Sequence, residues 1–105
     1  LNWDDTTGLL EFDLIHKVAD IPYGERWNGQ RPQVWGAGPN DNQRWWRYAP
    51  ASGLSGGSVP KTAWQQLRTG NFCLDVKEGH TYGGAELQIW DCAGADSYNQ
   101  AFWFD

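Results

Sequence analysis

The sequence predicts an all-β domain assembled from two copies of one unit. Three observations predict it. Thirteen Gly and five Pro in 105 residues suit a chain of many turns. Short apolar runs alternate with polar residues at the two-residue period of a strand, and no segment longer than about ten residues carries helical apolar spacing. A long stretch of the first half also repeats in the second half at a constant offset. At this length one domain, residues 1–105, is expected, with a core of modest size.

The repeat is read by laying "VADIPYGERWNGQRPQVW" over "CLDVKEGHTYGGAELQIW". Asp20 then meets Asp75, Gly24 meets Gly79, Gly29 meets Gly84, Gln33 meets Gln88 and Trp35 meets Trp90, all 55 residues apart. Ile21 and Val76, Val34 and Ile89, and Trp27 and Tyr82 are conservative pairs. Both copies run on to an Asn-Gln pair, Asn42-Gln43 and Asn99-Gln100, where the offset becomes 57. Upstream, Phe12 falls on Leu67. The units span about 8–62 and 63–105, and residues 1–7 belong to neither.

Each element follows from local chemistry. "LLEFDLI" places Leu10, Phe12 and Leu14 on one face of a strand. "FCLDV" and "LQIWD" are β-rich runs bounded by Gly and charge. "RWNGQR" holds an Asn-Gly hairpin signal and "HTYGGAEL" a Gly-Gly one. An aromatic strand follows each Asn-Gln pair, "RWWRY" and "AFWF". Residues 50–63, rich in Pro, Gly and Ser, read as a surface loop between the units.

Composition narrows the function. A net charge of −5 with scattered Lys and Arg argues against nucleic acid, heparin or an anionic membrane as main partner. No apolar run approaches the roughly 18 residues of a membrane span. The chain begins at Leu1, as expected after removal of a signal peptide or upstream segment. Cys73 and Cys92 read as a local disulfide of a secreted protein, with two free buried thiols as the alternative. Two cysteines without further ligands are too few for structural zinc, and no cofactor or metal is implied. Eight Trp exceed what such a core can fill, so some are expected to be part-exposed. An exposed indole is a platform for the C–H face of a sugar or for a protein partner.

Cys-Leu-Asp-Val, a fixed gap to Gln-Ile-Trp-Asp-Cys, then Asn-Gln and an aromatic strand, resembles the repeat of ricin B-type lectins. The family's QxW motif stands intact as Gln43-Arg44-Trp45 and with Phe for Trp as Gln100-Ala101-Phe102. The resemblance covers about 90 residues. It implies a β-trefoil, galactose-type sugar binding, and a disulfide between Cys73 and Cys92. The trefoil has three lobes and this chain shows two. The third is expected from a missing segment, a partner chain or self-association, with a divergent architecture of the two units as the remaining alternative. Val18 and Ala37 stand near the family's cysteine positions in the first unit, so no bridge is expected there and Asn42 is expected to sit differently.

Carried over residue by residue, the resemblance implies that Asp75 accepts two adjacent sugar hydroxyls, Asn99 bonds one of them, Trp90 stacks and Gln100 braces Asp75, with Gln88 peripheral. Asp20, Gln33, Trp35, Asn42 and Gln43 repeat this set. Trp27 and Tyr82 are further candidate platforms. An enzyme is not expected: Asp75 and Asp91 have no reason to face one another across a cleft, and no Ser-His-Asp or Cys-His spacing is present. His16 and His80 read as surface residues. The reading from another class is a protein-interaction module, such as a receptor-binding subunit or a protease inhibitor. Duplication of a polar pocket at constant offset favours the sugar.

Overall fold

The structure, a computed structural model, describes residues 2–12, 14–80, 82–94 and 97–102. Among these the fold is all-β, with helical structure confined to single 3-10 turns. One antiparallel sheet holds β1 (Asn2–Trp3), β2 (Leu10–Phe12), β3 (Lys17–Asp20) and β4 (Gln33–Trp35) in chain order. The other holds β5 (Trp46–Ala49), β6 (Leu54–Ser55), β7 (Gln66–Thr69), β8 (Phe72–Val76) and β9 (Leu87–Asp91), in the order β6-β5-β7-β8-β9.

The sequence repeat is a structural repeat in its register. Ala19 pairs with Val34 and Asp20 with Gln33 in the first unit; Leu74 pairs with Ile89 and Asp75 with Gln88 in the second. The strand carrying each Asp runs into a 3-10 turn, Pro22–Gly24 or Lys77–Gly79. Both turns hold a non-glycine residue in the left-handed region, Tyr23 at φ 56° and Glu78 at φ 56°. Such residues are uncommon for side chains with a Cβ, and their recurrence at equivalent positions shows that the turn geometry belongs to the unit.

Several local expectations are corrected. The first strand stops at Phe12, and Leu14 is 97% exposed. The chain turns there, with Ile15 N–H donating to Phe12 O and His16 at φ 54°, so the alternation cannot continue. The Asn-Gly and Gly-Gly signals do not form two-residue hairpins. Residues 21–32 and 77–86 connect their strands, and the glycines sit in turns within those connections, Gly29 at φ 99° and Gly84 at φ 91°. The segment 50–63 is not a plain loop: it carries β6 and buries Val59, whose carbonyl accepts from Arg47 Nη2 at 2.7 Å. Residues 1–7 supply β1, which pairs with β2. Strand β5, placed by sequence in the first unit, pairs with β7 of the second. Of "AFWF", Phe102 makes an isolated bridge to Gln65, and residues 103–104 lie outside the described residues.

The core draws on both units: Leu10, Ala19, Ile21 and Trp45 from the first, Leu67, Leu74 and Ile89 from the second. Trp3, Phe12, Phe72 and Phe102 pack against it. The units are also joined through main chain. Gly29 N–H donates to Ile89 O at 2.9 Å, and Ile89 N–H donates to Gln30 O at 2.8 Å. Asn28 closes the contact by accepting from Asp91 N–H and donating to its carboxylate. The equivalent of Ile89 in the first unit, Val34, has no such cover among the described residues. Val34 is 50% exposed where Ile89 is 0%. Beside Val34 opens an apolar groove of about 310 Å³, lined by equivalent residues of the two units, including Phe12 with Leu67, Ala19 with Leu74 and Trp45 with Phe102.

Arg26 makes a second bridge between the units. Its guanidinium donates to Thr69 Oγ1 from Nε and Nη2, to Asp41 O from Nη2 and to Asp41 Oδ2 from Nη1. The Asp41 carboxylate is mostly exposed, so the ion pair itself contributes little. The contacts to buried Thr69 and to the Asp41 carbonyl carry the effect. Arg26→Ala is expected to destabilise the fold by about 1–3 kcal/mol, the cost of leaving buried polar groups unsatisfied. A urea-denaturation midpoint indistinguishable from that of the parent chain would contradict this.

Candidate functional site

Each unit carries a buried aspartate at the last position of a strand or the one before it, and each aspartate gathers the same three amides. In the first unit Asp20 closes β3. Gln33, its ladder partner on β4, donates from Nε2 to Asp20 Oδ1 at 3.0 Å. The 3-10 turn Asp41–Gln43 delivers Asn42 Nδ2 and Gln43 Nε2 to Asp20 Oδ2, both at 2.9 Å. In the second unit Gln88 donates to Asp75 Oδ1 at 3.0 Å, and Asn99 and Gln100, on the turn Tyr98–Gln100, donate to Asp75 Oδ2, both at 2.9 Å. The networks match atom for atom.

Burying a carboxylate is costly unless it is hydrogen-bonded, and three amide donors meet that requirement here. Among the described residues neither aspartate has an ion-pair partner, so amide dipoles alone hold each charge. An ionised carboxylate offers about four acceptor positions, and three are taken. About one remains for a ligand donor, fewer than the two hydroxyls the resemblance implies for Asp75. Gln88 is buried and bonded to Asp75, so it braces the carboxylate instead of standing at the periphery.

The glutamine of each Asn-Gln pair has a further task. Gln43 Nε2 also donates to Gly36 O, and its Oε1 accepts from Gly38 N–H at 2.7 Å. Gln100 does the same with Asp91 O and Ala93 N–H, the latter at 2.8 Å. Each glutamine thus ties the loop after β4 or β9 to the aspartate. Cys73 and Cys92 form a disulfide, S–S 2.03 Å, which adds a covalent tie in the second unit. Val18 and Ala37 occupy the equivalent positions in the first. Asn42 nevertheless bonds its aspartate at the same distance as Asn99, because Gln43 fixes the loop without the bridge.

Above each carboxylate lies an open pocket, about 500 Å³ in the first unit and 440 Å³ in the second. These volumes fall in the range of about 300–1,000 Å³ usual for small-molecule sites. All five sequence-selected residues of each unit line its own pocket. Trp35 and Trp90 are 61% and 43% exposed, so each has an indole surface available and neither is a core residue. Trp27 and Tyr82 lie outside both linings; Tyr82 instead stacks on His80 with centroids 4.9 Å apart.

Sequence reading missed Tyr23 and Asn40 in the first pocket, and Glu78 and Ser97 in the second. These are equivalent pairs. Their signal was present in the alignment, since Tyr23 and Glu78 each precede an aligned glycine, but the residue types differ and no identity marks them. The difference matters chemically. Among the described residues the first pocket has two aromatic walls, Tyr23 and Trp35, while the second has one, Trp90, with Lys77 and Glu78 at its rim.

No family model, no curated protein and no solved structure matches this chain.

The equivalence of the two networks has a measurable consequence. Gln43→Ala and Gln100→Ala each strip a donor from a buried carboxylate and leave a loop N–H and C=O without their partner. Each is expected to destabilise the fold by about 1–3 kcal/mol. Guanidinium unfolding of the two variants checks this, and an unchanged midpoint in both would show that the amides are dispensable.

Proposed function

We propose that this chain is a ricin B-type lectin module of β-trefoil type, secreted, that binds galactose or N-acetylgalactosamine residues of glycans. The observation that carries the reading is the duplicated pocket: a buried Asp, two Gln, an Asn and a part-exposed Trp, with the same hydrogen bonds in both units. Such a pocket has the parts a sugar requires. The remaining acceptor position of Asp20 or Asp75 takes one hydroxyl. The side-chain oxygens of Asn42 or Asn99 and of Gln33 or Gln88 accept from others. Trp35 or Trp90 offers a plane to the C–H face of the ring. The braced amides are held in place before a ligand arrives, which reduces the ordering cost of binding. Two pockets on one chain raise avidity for multivalent glycans without new contacts.

Glycan-array binding followed by titration calorimetry tests the reading. Trp35→Ala with Trp90→Ala removes both exposed planes without touching the buried networks, so the double variant is expected to fold and to lose binding at both pockets. A native chain that retains no galactose-terminated glycan, or a double variant that binds as well as the native chain, would defeat the proposal.

The alternative reading, a surface for protein contact, finds its support elsewhere, in the apolar groove beside Val34. That groove fits the same proposal when it is assigned to a third unit of this repeat. Continuity with the contact already present says what such a unit brings: a glycine-containing turn, like Asn28–Gln30, set against Val34, and apolar side chains to fill the groove. For the 105-residue chain by itself the available source is another copy. Sedimentation is expected to read a mass above the 11.9 kDa of one chain, with Val34→Lys shifting it toward the monomer. A native chain that sediments as a monomer at high concentration would rule out self-association.

A further inference from the structure

The turn Pro22–Gly24 does not need a tyrosine at its centre. Tyr23 is 94% exposed, so its ring packs against almost nothing. It stands at φ 56°, ψ 14°, a left-handed conformation that side chains with a Cβ adopt at a cost. Glu78 holds the equivalent position at φ 56°, ψ 16°, so the backbone accepts an unrelated side chain. Main-chain bonds keep the turn in shape: Gly24 N–H donates to Ile21 O at 2.8 Å and Glu25 N–H to Pro22 O at 3.1 Å. Its place beside the pocket is fixed too. Arg26 ties the segment to Asp41 and Thr69, and Gly24 lies so close to Asn42 that a Cβ on it would meet Asn42 Cβ at 3.6 Å. What the ring does is line the first pocket, with Trp35, Asn40 and Asn42. An exposed side chain held in a costly conformation at a pocket is a feature of ligand clamps. Among the described residues that lining has no charged side chain except buried Asp20. The second pocket has a carboxylate at the equivalent position, with Glu78 Oε2 3.2 Å from His80 Nε2. A phenol ring offers apolar area to a ligand, and a hydrated carboxylate does not.

We propose that Tyr23 sets the specificity of the first pocket: a sugar stacked on Trp35 rests an apolar substituent on the Tyr23 ring, so this pocket selects substituted galactosides over galactose itself. The inference rests on the carbohydrate reading and deepens it by naming the pocket that discriminates and the contact that does so. Two sources carry the same chemistry, the methyl of an acetamido group at C2 and an apolar aglycone at C1. The second pocket carries Glu78 in place of this ring, which makes the two units unequal in what they select.

The test uses a Trp90→Ala background, which silences the second pocket, and three probes titrated by calorimetry: galactose, N-acetylgalactosamine and phenyl β-galactoside. At least one substituted sugar is expected to bind on the order of fourfold tighter than galactose, the scale of burying one apolar carbon. Which of the two gains tells whether the group on Tyr23 sits at C2 or at C1. Tyr23→Phe, which keeps the ring, is expected to retain the preference. Tyr23→Glu, which copies the residue that the second unit holds in the same turn conformation, is expected to fold and to abolish it. If the Trp90→Ala chain does not fold, the Phe and Glu variants are compared in the native chain. Equal affinity for all three probes, a preference that survives Tyr23→Glu, or a silent Trp90→Ala chain beside a native chain that binds overturns the role of Tyr23 while leaving the sugar reading in place. Failure of every probe to bind the native chain overturns the carbohydrate reading and this inference together.

Discussion

Everything at the candidate sites depends on one interaction, a buried carboxylate held by three amide N–H groups and, among the described residues, no cation. Asp20 and Asp75 lie in the interior, near the ends of strands flanked on both sides, where an unpaired charge would be costly. The amides arrive from two directions in the chain: a glutamine across the strand ladder, and an Asn-Gln pair from a 3-10 turn more than twenty residues on. The aspartate therefore fixes the strand pair, the turn and the intervening loop relative to one another. The pocket is the space those three segments enclose. The same bonds that make burial of the charge tolerable also orient the polar groups a ligand would meet.

The two units spend this arrangement differently. The second reinforces its loop with Cys73–Cys92, which in the chain-entropy model contributes about 3 kcal/mol for a loop of this size. The first relies on Gln43 and holds its Asn in the same place. Their rims diverge more than their floors, with Tyr23 facing one pocket and Glu78 the other. A duplicated scaffold whose buried contacts match while its exposed positions vary is what packing physics favours. A change in a satisfied buried network costs kilocalories, whereas a rim substitution costs little.

The contact between the units explains the open side of the molecule. Ile89 is covered because Gly29 and Gln30 bond its main chain, and Val34 is half-exposed because nothing equivalent reaches it among the described residues. Glycine matters at this point, since Gly29 sits at φ 99°, a conformation that side chains with a Cβ avoid. The unit thus carries a donor turn on one flank and an acceptor strand on the other. With two units in the chain one such contact is made, and among the described residues the edge of β4 has no equivalent cover beside the apolar groove.

The sequence by itself determined the all-β class, the repeat, the pairing of Cys73 with Cys92 as its preferred alternative, and the five polar and aromatic residues that converge in each pocket. It could do so because these depend on local period and on identities that must recur together when a charge is buried. It misjudged Leu14, the Asn-Gly hairpin and the loop 50–63, because alternation, turn signals and composition do not report where a strand stops or which neighbour it joins. It also took Gln88 for a peripheral contact, since nothing in a linear chain says that a glutamine opposite an aspartate is buried against it. Tertiary structure alone decided that β5 crosses to the second unit's sheet and that Asn28–Gln30 clasps Ile89. Those are contacts between segments far apart in the chain, fixed by how whole units pack and invisible to any pattern within one of them.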